Sequence, residues 1–210
     1  MMPKGLLFII EGGEGSGKTE LRKRLTTMRN LYYGAYPTWE PGATKLGASL
    51  REILLHNPEP IDDKAELLLF LADRADHLAK EIIPWLNEGR IIICDRLNAS
   101  TWAYQVRGRQ VITPEEFEFL DKFTLGDLAA DLTILLDLDP QIGLLRNLKD
   151  QGKNRTRFDS ETLDFHNRVR QGFLELAKKE PDKWLVLDAA KTPEEILELA
   201  WKKVEPILST

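Results

Sequence analysis

The sequence has 210 residues, 42% of them hydrophobic and 30% charged, which suits one compact domain with a sizeable core. The net charge of −5 lacks the basic character of a nucleic-acid binder, and no apolar run approaches the ~20 residues of a membrane-spanning helix. The single cysteine, Cys94, excludes an intrachain disulfide and fits a reducing compartment. We therefore expect a cytoplasmic protein with neither a nucleic acid nor a membrane as a partner.

In chain order, five short strand-like runs alternate with helical patterns. The strands are predicted at residues 6–10, 32–38, 90–95, 132–137 and 184–188. Four of these runs are almost continuously apolar, which is typical of strands that are covered on both faces of a parallel sheet. Helices between parallel strands imply right-handed crossovers, so we expect an α/β fold with an open sheet and helices on both faces.

Three helices carry clear start or end signals. Residues 61–89 begin with acidic residues and end at a glycine, as helix polarity prefers. The sequence Thr-Pro-Glu-Glu occurs at 113–116 and again at 192–195. In both places Thr at the N-cap, Pro at N1 and Glu at N3 predict a capping box that starts a helix.

Residues 12–19 read GGEGSGKT and match the P-loop pattern, with a predicted strand before them and a helical pattern after them. Glycines let backbone N–H groups approach phosphate oxygens, and the following helix adds the positive end of its dipole. Lys18 would reach the β- and γ-phosphates of ATP, and Thr19 would hold Mg²⁺. The predicted ATP-binding residues are Gly12, Gly13, Glu14, Gly15, Ser16, Gly17, Lys18 and Thr19. The motif alone fits kinases, ATPases and GTPase switches equally well.

A second polar group follows the third predicted strand, in the stretch RIIICDRLNASTWAYQ at 90–105. Ligands of open α/β sheets bind beyond the carboxyl ends of the strands, so Asp95 would face the P-loop and could orient Mg²⁺. Arg96 has the planar fork that suits a second phosphate. The alternative interpretation is a structural ion pair between these two side chains.

Five segments of the chain resemble thymidylate kinase in order and spacing. They are FIIEGGEGSGKT, TWEPGATKLGASLREILL, LLFLADRADH, CDRLNASTWAYQ and RTRFDSETLDFHNRVRQGFLELA. The resemblance implies a single P-loop kinase domain over residues 1–210, with a doubly wound five-stranded parallel sheet and a mobile lid at about 141–158. It also implies Mg²⁺-dependent transfer of the γ-phosphoryl group from ATP to dTMP, giving dTDP for dTTP synthesis, by an enzyme that is usually a homodimer.

The same resemblance assigns roles on the substrate side. Phe70 matches the aromatic residue on which thymine stacks, and Arg74 matches the arginine that hydrogen-bonds the base. Arg96 matches the arginine that grips the dTMP phosphate, with Asp95 as the aspartate beside it. Glu14 matches an acidic residue near the acceptor sugar and phosphate. By pattern alone, Phe70 could equally be helix core and Arg74 a solvated charge.

Four further residues complete the predicted substrate side. Tyr104 matches the tyrosine that crowds the 2′ position of the sugar and disfavours ribose. Ser100 and Gln105 match positions near the base, and Glu40 is expected on the substrate side as well. Simple packing for Tyr104 and helix capping for Ser100 are the alternatives.

Five basic residues fall within twelve positions after the fourth predicted strand: Arg146, Lys149, Lys153, Arg155 and Arg157. A solvated helix face is the ordinary explanation of such a run, but phosphoryl transfer needs cations around the transferring group. Because the small Gly15 follows Glu14, the chain resembles the bacterial-type arrangement in which the lid supplies the arginines. Arg157 is the best match to the catalytic lid arginine, while Arg155 and Arg146 are weaker matches.

The chain departs from the family pattern after its second strand. The family usually reads Thr-Arg-Glu-Pro-Gly-Gly-Thr there, whereas this chain has Trp39 in place of the arginine and Ala43 in place of the second glycine. An indole replaces neither the charge nor the donors of a guanidinium, so Trp39 either offers a stacking face or fills space. In the lid, Thr156 and Asp159 stand where Asp and Glu are common.

Three other functions stay open at this point. Another deoxynucleoside monophosphate kinase could have altered its base choice through Trp39. A P-loop nucleotide switch would act through a protein partner, although Arg96 and the lid charges argue against it. A nucleoside kinase that phosphorylates thymidine would need a carboxylate base, for which Glu11 and Glu40 are candidates.

Overall fold

The computed structural model describes residues 5–28, 34–149 and 156–208, and these ranges contain a five-stranded parallel sheet of strand order β2-β3-β1-β4-β5. The strands are β1 (Leu6–Gly12), β2 (Tyr36–Trp39), β3 (Ile91–Asp95), β4 (Leu132–Asp137) and β5 (Trp184–Asp188). The predicted strand at 132–137 and that at 184–188 have the bounds expected from the sequence. The first strand runs two residues further than predicted, and residues 32 and 33 of the second lie outside the described ranges.

Helices cover both faces of this sheet, as the predicted doubly wound α/β fold requires. They are α1 (Lys18–Thr26), α2 (Lys45–His56), α3 (Asp63–His77), α4 (Ile83–Asn87), α5 (Asn98–Thr101), α6 (Pro114–Leu125), α7 (Pro140–Lys149), α8 (Leu163–Lys179) and α9 (Pro193–Leu208). A π-helical segment, Leu78–Ile82, joins α3 to α4, and a second one, Trp102–Gly108, continues α5. Within the described ranges, none of the helices combines the length and apolar character that crossing a membrane would require.

The predicted helix signals are confirmed. The side chain of Asp62 caps α3, and the helical run that includes α4 ends at Gly89, whose φ of 75° suits glycine. The Thr113 hydroxyl oxygen accepts a hydrogen bond from the Glu116 amide, and the Glu116 carboxylate accepts one from the Thr113 amide. The second copy of the motif forms the same reciprocal pair at the start of α9.

Alternate side chains of the central strands enter separate cores on the two faces of the sheet. Phe8 and Ile10 of β1 pack with Leu21 of α1 and with residues of α9. Leu7 and Ile9 of the same strand pack on the other face with Leu78 and its neighbours. Coverage on both faces therefore holds for β1, β3 and β4, whereas the edge strands β2 and β5 are partly exposed because each has a strand neighbour on one side.

The backbone of α7 lies directly against the P-loop. An ideal Cβ atom added at Gly143 would lie 2.1 Å from the carbonyl oxygen of Glu14, and one added at Gly15 would lie 2.2 Å from the carbonyl oxygen of Gly143. No side chain fits between the two segments, so the glycines allow backbone to meet backbone. This contact fixes the first turns of the predicted lid segment on the P-loop.

We predict that Gly143→Ala lowers the free energy of unfolding by roughly 1–2 kcal/mol, because the cost of overpacking exceeds the gain in helix propensity. Urea denaturation measures the change. Gly13→Ala is the matched stability control, because a Cβ atom at Gly13 would have open space around it. Equal unfolding free energies for wild type and Gly143→Ala would contradict the tight contact.

Candidate active site

The carboxyl ends of the strands surround a cleft of about 1040 Å³. The cleft brings together most of the residues predicted from the sequence, although they come from distant parts of the chain. These are Glu14, Gly15, Ser16, Gly17, Lys18, Thr19, Glu40, Phe70, Arg74, Asp95, Arg96, Ser100, Tyr104 and Gln105. Gly12 and Gly13 are not among the residues that line the cleft, although they precede those residues directly in the P-loop.

The P-loop is formed around the ammonium group of Lys18. Its Nζ donates to the carbonyl oxygens of Gly12 at 3.0 Å and Gly13 at 2.8 Å, and Gly15 and Gly17 take positive φ values of 65° and 93°. Burial lowers the pKa of Lys18 to about 8, and the charge of Arg96 acts in the same direction. The ammonium is thus held in a partly dehydrated position where phosphate oxygens would compensate its charge.

Asp95 faces the P-loop, as predicted, and accepts a hydrogen bond from Thr19 at 2.9 Å between Oγ1 and Oδ2. Arg96, the next residue, turns its side chain to other partners. Its Nη1 donates to Ser100 Oγ at 3.1 Å, and its Nη2 donates to Glu14 Oε1 at 3.2 Å. Asp95 and Arg96 therefore contact different sides of the cleft. The alternative interpretation, a structural ion pair between these two side chains, does not describe their hydrogen bonds.

Arg96 has a backbone conformation that non-glycine residues rarely adopt, with φ of 73°. Its amide donates to the carbonyl oxygen of Ile10 at 3.0 Å, which ties the strained residue to the strand next to it. Backbone strain of this kind is concentrated at functional sites, where the surrounding structure enforces it. Here it directs the Arg96 side chain back over the P-loop toward Glu14.

Glu14 joins the P-loop to the opposite wall of the cleft. Its Oε1 accepts from the hydroxyl of Tyr104 at 2.6 Å as well as from Arg96. Burial acts to raise the pKa of Glu14, but the charges of Arg96 and Lys18 and the Tyr104 hydroxyl outweigh it and lower the pKa. Burial raises the pKa of Tyr104, which keeps its hydroxyl protonated as a donor.

Glu11 lies below the cleft and anchors the loop that carries Arg96. Its carboxylate accepts from the amides of Leu97 at 2.9 Å and Ser100 at 3.2 Å and from the Ser100 hydroxyl at 2.7 Å. Burial raises the pKa of this fully enclosed carboxyl group. A group committed to three donors inside the fold is an anchor rather than a base for a substrate hydroxyl.

On the substrate side, Arg74 is buried and its guanidinium nitrogens are all engaged. Nε donates to Glu40 Oε2 at 2.9 Å, Nη1 to Thr101 Oγ1 at 2.8 Å and Nη2 to the carbonyl oxygen of Leu97 at 2.9 Å. Glu40 is also in contact with His77, at 3.1 Å from Nδ1. Arg74 and Glu40 thus form a rigid floor of the cleft, which leaves Glu40 poorly placed as a catalytic base.

The predicted lid cations divide into two groups. Arg146 and Lys149 line the cleft, and Arg146 Nη1 donates to the carbonyl oxygen of Ala189 at 3.0 Å. Arg157 points elsewhere: its Nε donates to the carbonyl oxygen of Leu54 at 2.5 Å and its Nη2 to the buried carboxylate of Glu66. Arg155 and Lys153 lie outside the described residues.

Glu66 holds several cleft residues in place at once. Besides Arg157, it accepts from Gln105 Nε2 at 2.8 Å and from Arg109 at 3.0 and 3.1 Å. Next to it, the ring of Phe70 lies 6.2 Å from that of Phe158 between ring centroids. The predicted base-side residues Phe70 and Gln105 are therefore adjacent to the residue that binds Arg157.

Sequence reasoning missed two arginines that line the cleft, Arg22 and Arg51. Arg51 Nη1 donates to the carbonyl oxygen of Pro41 at 2.7 Å, and burial lowers the pKa of this arginine. Each follows a buried helix residue by four positions, Arg22 after Lys18 and Arg51 after Gly47. A charged residue four positions after a residue of the buried helix face was the pattern that could have indicated these arginines.

A P-loop opposite an arginine-bearing second wall, inside one α/β cleft, defines a P-loop kinase for a small phosphorylated acceptor. The family model described as Thymidylate kinase matches residues 10–199. The chain belongs to the thymidylate kinase family.

Individual relatives agree with this assignment. The chain is 43% identical to a thymidylate kinase of Synechococcus sp. (strain JA-2-3B'a(2-13)), with 97% of this chain and 96% of the relative covered. It is 44% identical to a thymidylate kinase of Carboxydothermus hydrogenoformans, with 92% and 93% covered. The crystal structure of thymidylate kinase from Ehrlichia chaffeensis has a TM-score of 0.76 at 31% identity, with 96% of this chain and 99% of that chain covered.

We predict that ATP affinity is constant up to about pH 8 and then falls, approaching tenfold per pH unit. Bound phosphate favours the protonated ammonium of Lys18, so affinity is lost as pH rises from the pKa of the free protein toward the higher pKa of the complex. Isothermal titration calorimetry between pH 6.5 and 10 measures it.

Lys18→Arg is the control for this pH dependence, because a guanidinium stays charged over the whole range. Its affinity, whatever the absolute value, should not vary with pH above 8. A wild-type affinity that is constant between pH 7 and 9.5 would contradict the lowered pKa.

Proposed function

We propose that the chain transfers the γ-phosphoryl group of ATP to dTMP, giving ADP and dTDP for dTTP synthesis. The observation that carries this proposal is the contact between the two halves of the cleft at Glu14. Because of this contact, the P-loop and the side of the cleft that carries Arg96 lie next to each other, so a donor and an acceptor nucleotide bound to them would meet end to end. Family membership supplies the identity of the acceptor.

On the donor side, Lys18 and the P-loop amides hold the β- and γ-phosphates. On the acceptor side, Arg96 orients the dTMP phosphate for in-line attack. Its guanidinium is already held by Ser100 and Glu14, so little freedom is lost when the substrate binds. A general base is unnecessary, because the second pKa of a phosphate monoester is near 6 and the attacking oxygen is anionic at neutral pH.

Thr19 and Asp95 fit Mg²⁺ as its protein contacts. Magnesium prefers oxygen ligands and is usually held by one or two carboxylates together with substrate phosphates. The hydroxyl and carboxylate already meet at 2.9 Å, and no cluster of three or more candidate ligands occurs in the part of the chain that the structure describes. When bound, the ion would neutralise charge on the β- and γ-phosphate oxygens.

The base and sugar of dTMP would occupy the side of the cleft opposite the P-loop. Phe70 would stack on thymine, while Arg74 and Gln105 would present to the base those N–H groups that their contacts within the protein leave unused, two of five in Arg74 and one of two in Gln105. Ser100 and Glu40 would act by holding Arg96 and Arg74 in position. Tyr104 packs edge-on against Phe158, Phe165 and Phe173, so it forms a fixed wall at which a ribose 2′-hydroxyl would clash.

Arg157 would take part in transfer only in a conformation in which it has left Glu66. We propose that the lid, at about 141–158, brings Arg157 or Arg155 to the transferring group, with Arg146 next to the P-loop. Such an arginine offsets the charge that is spread over the γ-phosphoryl oxygens in the transition state.

The other functions are less well supported. A nucleoside kinase would need Glu11 or Glu40 as a free base, and both carboxylates are occupied inside the fold. A nucleotide switch has no use for an arginine wall on the acceptor side. A kinase for another deoxynucleoside monophosphate keeps every contact described and differs only in the base, so it is tested directly.

We expect ADP formation to require an acceptor and to be fastest with dTMP. A coupled assay of ADP release with dTMP, dUMP, dGMP, dCMP, AMP and thymidine separates the candidates. Preference for another monophosphate would contradict the choice of base, and preference for thymidine would indicate a nucleoside kinase. ADP release that no acceptor stimulates would indicate a switch.

We also propose that the enzyme is a cytoplasmic homodimer, with a second copy of this chain on the face that carries α6. Phe119 and Phe123, one turn apart on α6, are 71% and 79% exposed, and Leu68 on the neighbouring α3 is exposed as well. Large apolar side chains grouped in this way usually mark an interface. A two-fold axis would bury the same patch on both subunits.

The double substitution Phe119→Glu and Phe123→Glu should convert the dimer into a monomer, because it places two like charges in each half of the interface. Size-exclusion chromatography with light scattering measures the mass. Leu199→Glu on α9, on the opposite face of the sheet, is the matched control and should leave the dimer intact. A wild-type monomer, or a dimer unaffected by the double substitution, would contradict this surface.

A further inference from the structure

The guanidinium of Arg22 lies over the indole of Trp39, with 4.8 Å between Cζ and the ring centroid. Arg22 is on α1 and is only 9% exposed, whereas Trp39 ends β2 and is 37% exposed. Both side chains line the cleft. Trp39 stands where the family pattern has an arginine. A guanidinium is nevertheless present beside that position, because helix α1 supplies Arg22.

Among the residues that the structure describes, the buried cation Arg22 has no anionic partner. Its Nε is fully enclosed and has no hydrogen-bond acceptor, and within the described ranges its guanidinium forms no ion pair. Arg24, two residues further on, binds both Glu20 and Glu194. A buried, unsatisfied donor of a charged group is unfavourable in the folded protein. Nε itself is closed to the cleft, but Arg22 lines the cleft, so an anion bound there would compensate the positive charge through the rest of the guanidinium.

The surroundings of Arg22 indicate which anion fits. It follows Thr19 by three positions and Lys18 by four, so it shares their face of α1. Trp39 pairs with Asp95 in the sheet, and the next amide, that of Glu40, donates to the carbonyl oxygen of Asp95 at 3.0 Å. The Arg22–Trp39 stack therefore flanks the Thr19–Asp95 contact on the side of the proposed dTMP site.

We propose that Arg22, oriented by Trp39, contacts the phosphate of the acceptor nucleotide and acts together with Arg96 in recognising it. The inference rests on the proposed function, since it assumes that dTMP occupies this side of the cleft. The stacked indole fixes the plane of the guanidinium and leaves its edge free for phosphate oxygens. Trp39 is a positioning residue, and Arg22 is the residue that touches the substrate.

The test compares Arg22→Met with its matched control Arg24→Met, by calorimetric titration of dTMP, thymidine and ATP. We expect Arg22→Met to weaken dTMP binding at least tenfold and to leave thymidine and ATP binding within about twofold, because thymidine lacks the phosphate and ATP binds the P-loop. Arg24→Met should change none of the three. Equal weakening of dTMP and thymidine, or an effect on ATP alone, would overturn the proposal.

Two further measurements separate substrate contact from a structural role. The melting temperature of nucleotide-free Arg22→Met should be unchanged or higher, because the substitution removes an unsatisfied buried donor. A structural arginine would give a lower value. Trp39→Ala should weaken dTMP binding in the wild-type background, should have no further effect in Arg22→Met, and should be largely rescued by Trp39→Phe.

The kinetic result distinguishes failure of this inference from failure of the proposed function. Wild-type turnover with dTMP together with an unchanged KM for dTMP in Arg22→Met would overturn the role of Arg22 alone. Absence of wild-type turnover with dTMP would overturn the proposed function and this inference with it.

Discussion

The parallel pairing of β1 with β3 determines where the P-loop lies relative to Asp95 and Arg96. Its register places Ile10 opposite Asp95, so the first strand turns into the P-loop beside the point where the third strand ends. The amide of Arg96 then bonds to Ile10, and Glu11 accepts from the next loop. A shift of one residue in this register would move the side chains of Asp95 and Arg96 each to the other face of the sheet.

Charged side chains are concentrated at this edge of the sheet, and each of those named below has a hydrogen-bond partner within the protein. Glu14 joins Arg96 to the P-loop, Asp95 is bound to Thr19, and Lys18 is held by carbonyl oxygens. Transfer of phosphate between two nucleotides brings several negative charges into a small space. Cations that are preorganised and partly dehydrated interact with those charges more strongly than solvated ones would.

The order of the strands and helices, and the position of the P-loop between the first strand and the first helix, could be predicted from the sequence because both depend on local patterns. Nearly continuous apolar runs predicted four of the five strands, and capping boxes at Thr113 and Thr192 predicted helix starts. The position of Arg157 could not be predicted, because its partner Glu66 is 91 residues away in the sequence. A run of basic residues has the same sequence pattern whether its arginines point into the cleft or bind a carboxylate elsewhere. Arg22 was missed because charged residues are ordinarily assigned to solvent.

The buried carboxylate of Glu66 has a consequence for how freely Arg157 can exchange partners. If the arginine leaves, Glu66 retains two hydrogen bonds from Arg109 and one from Gln105. The departure of Arg157 therefore does not leave Glu66 as an unpaired buried anion. An unpaired buried charge is the main reason why breaking a buried ion pair is unfavourable. Arg157 can therefore change partners without leaving a buried charge uncompensated at Glu66.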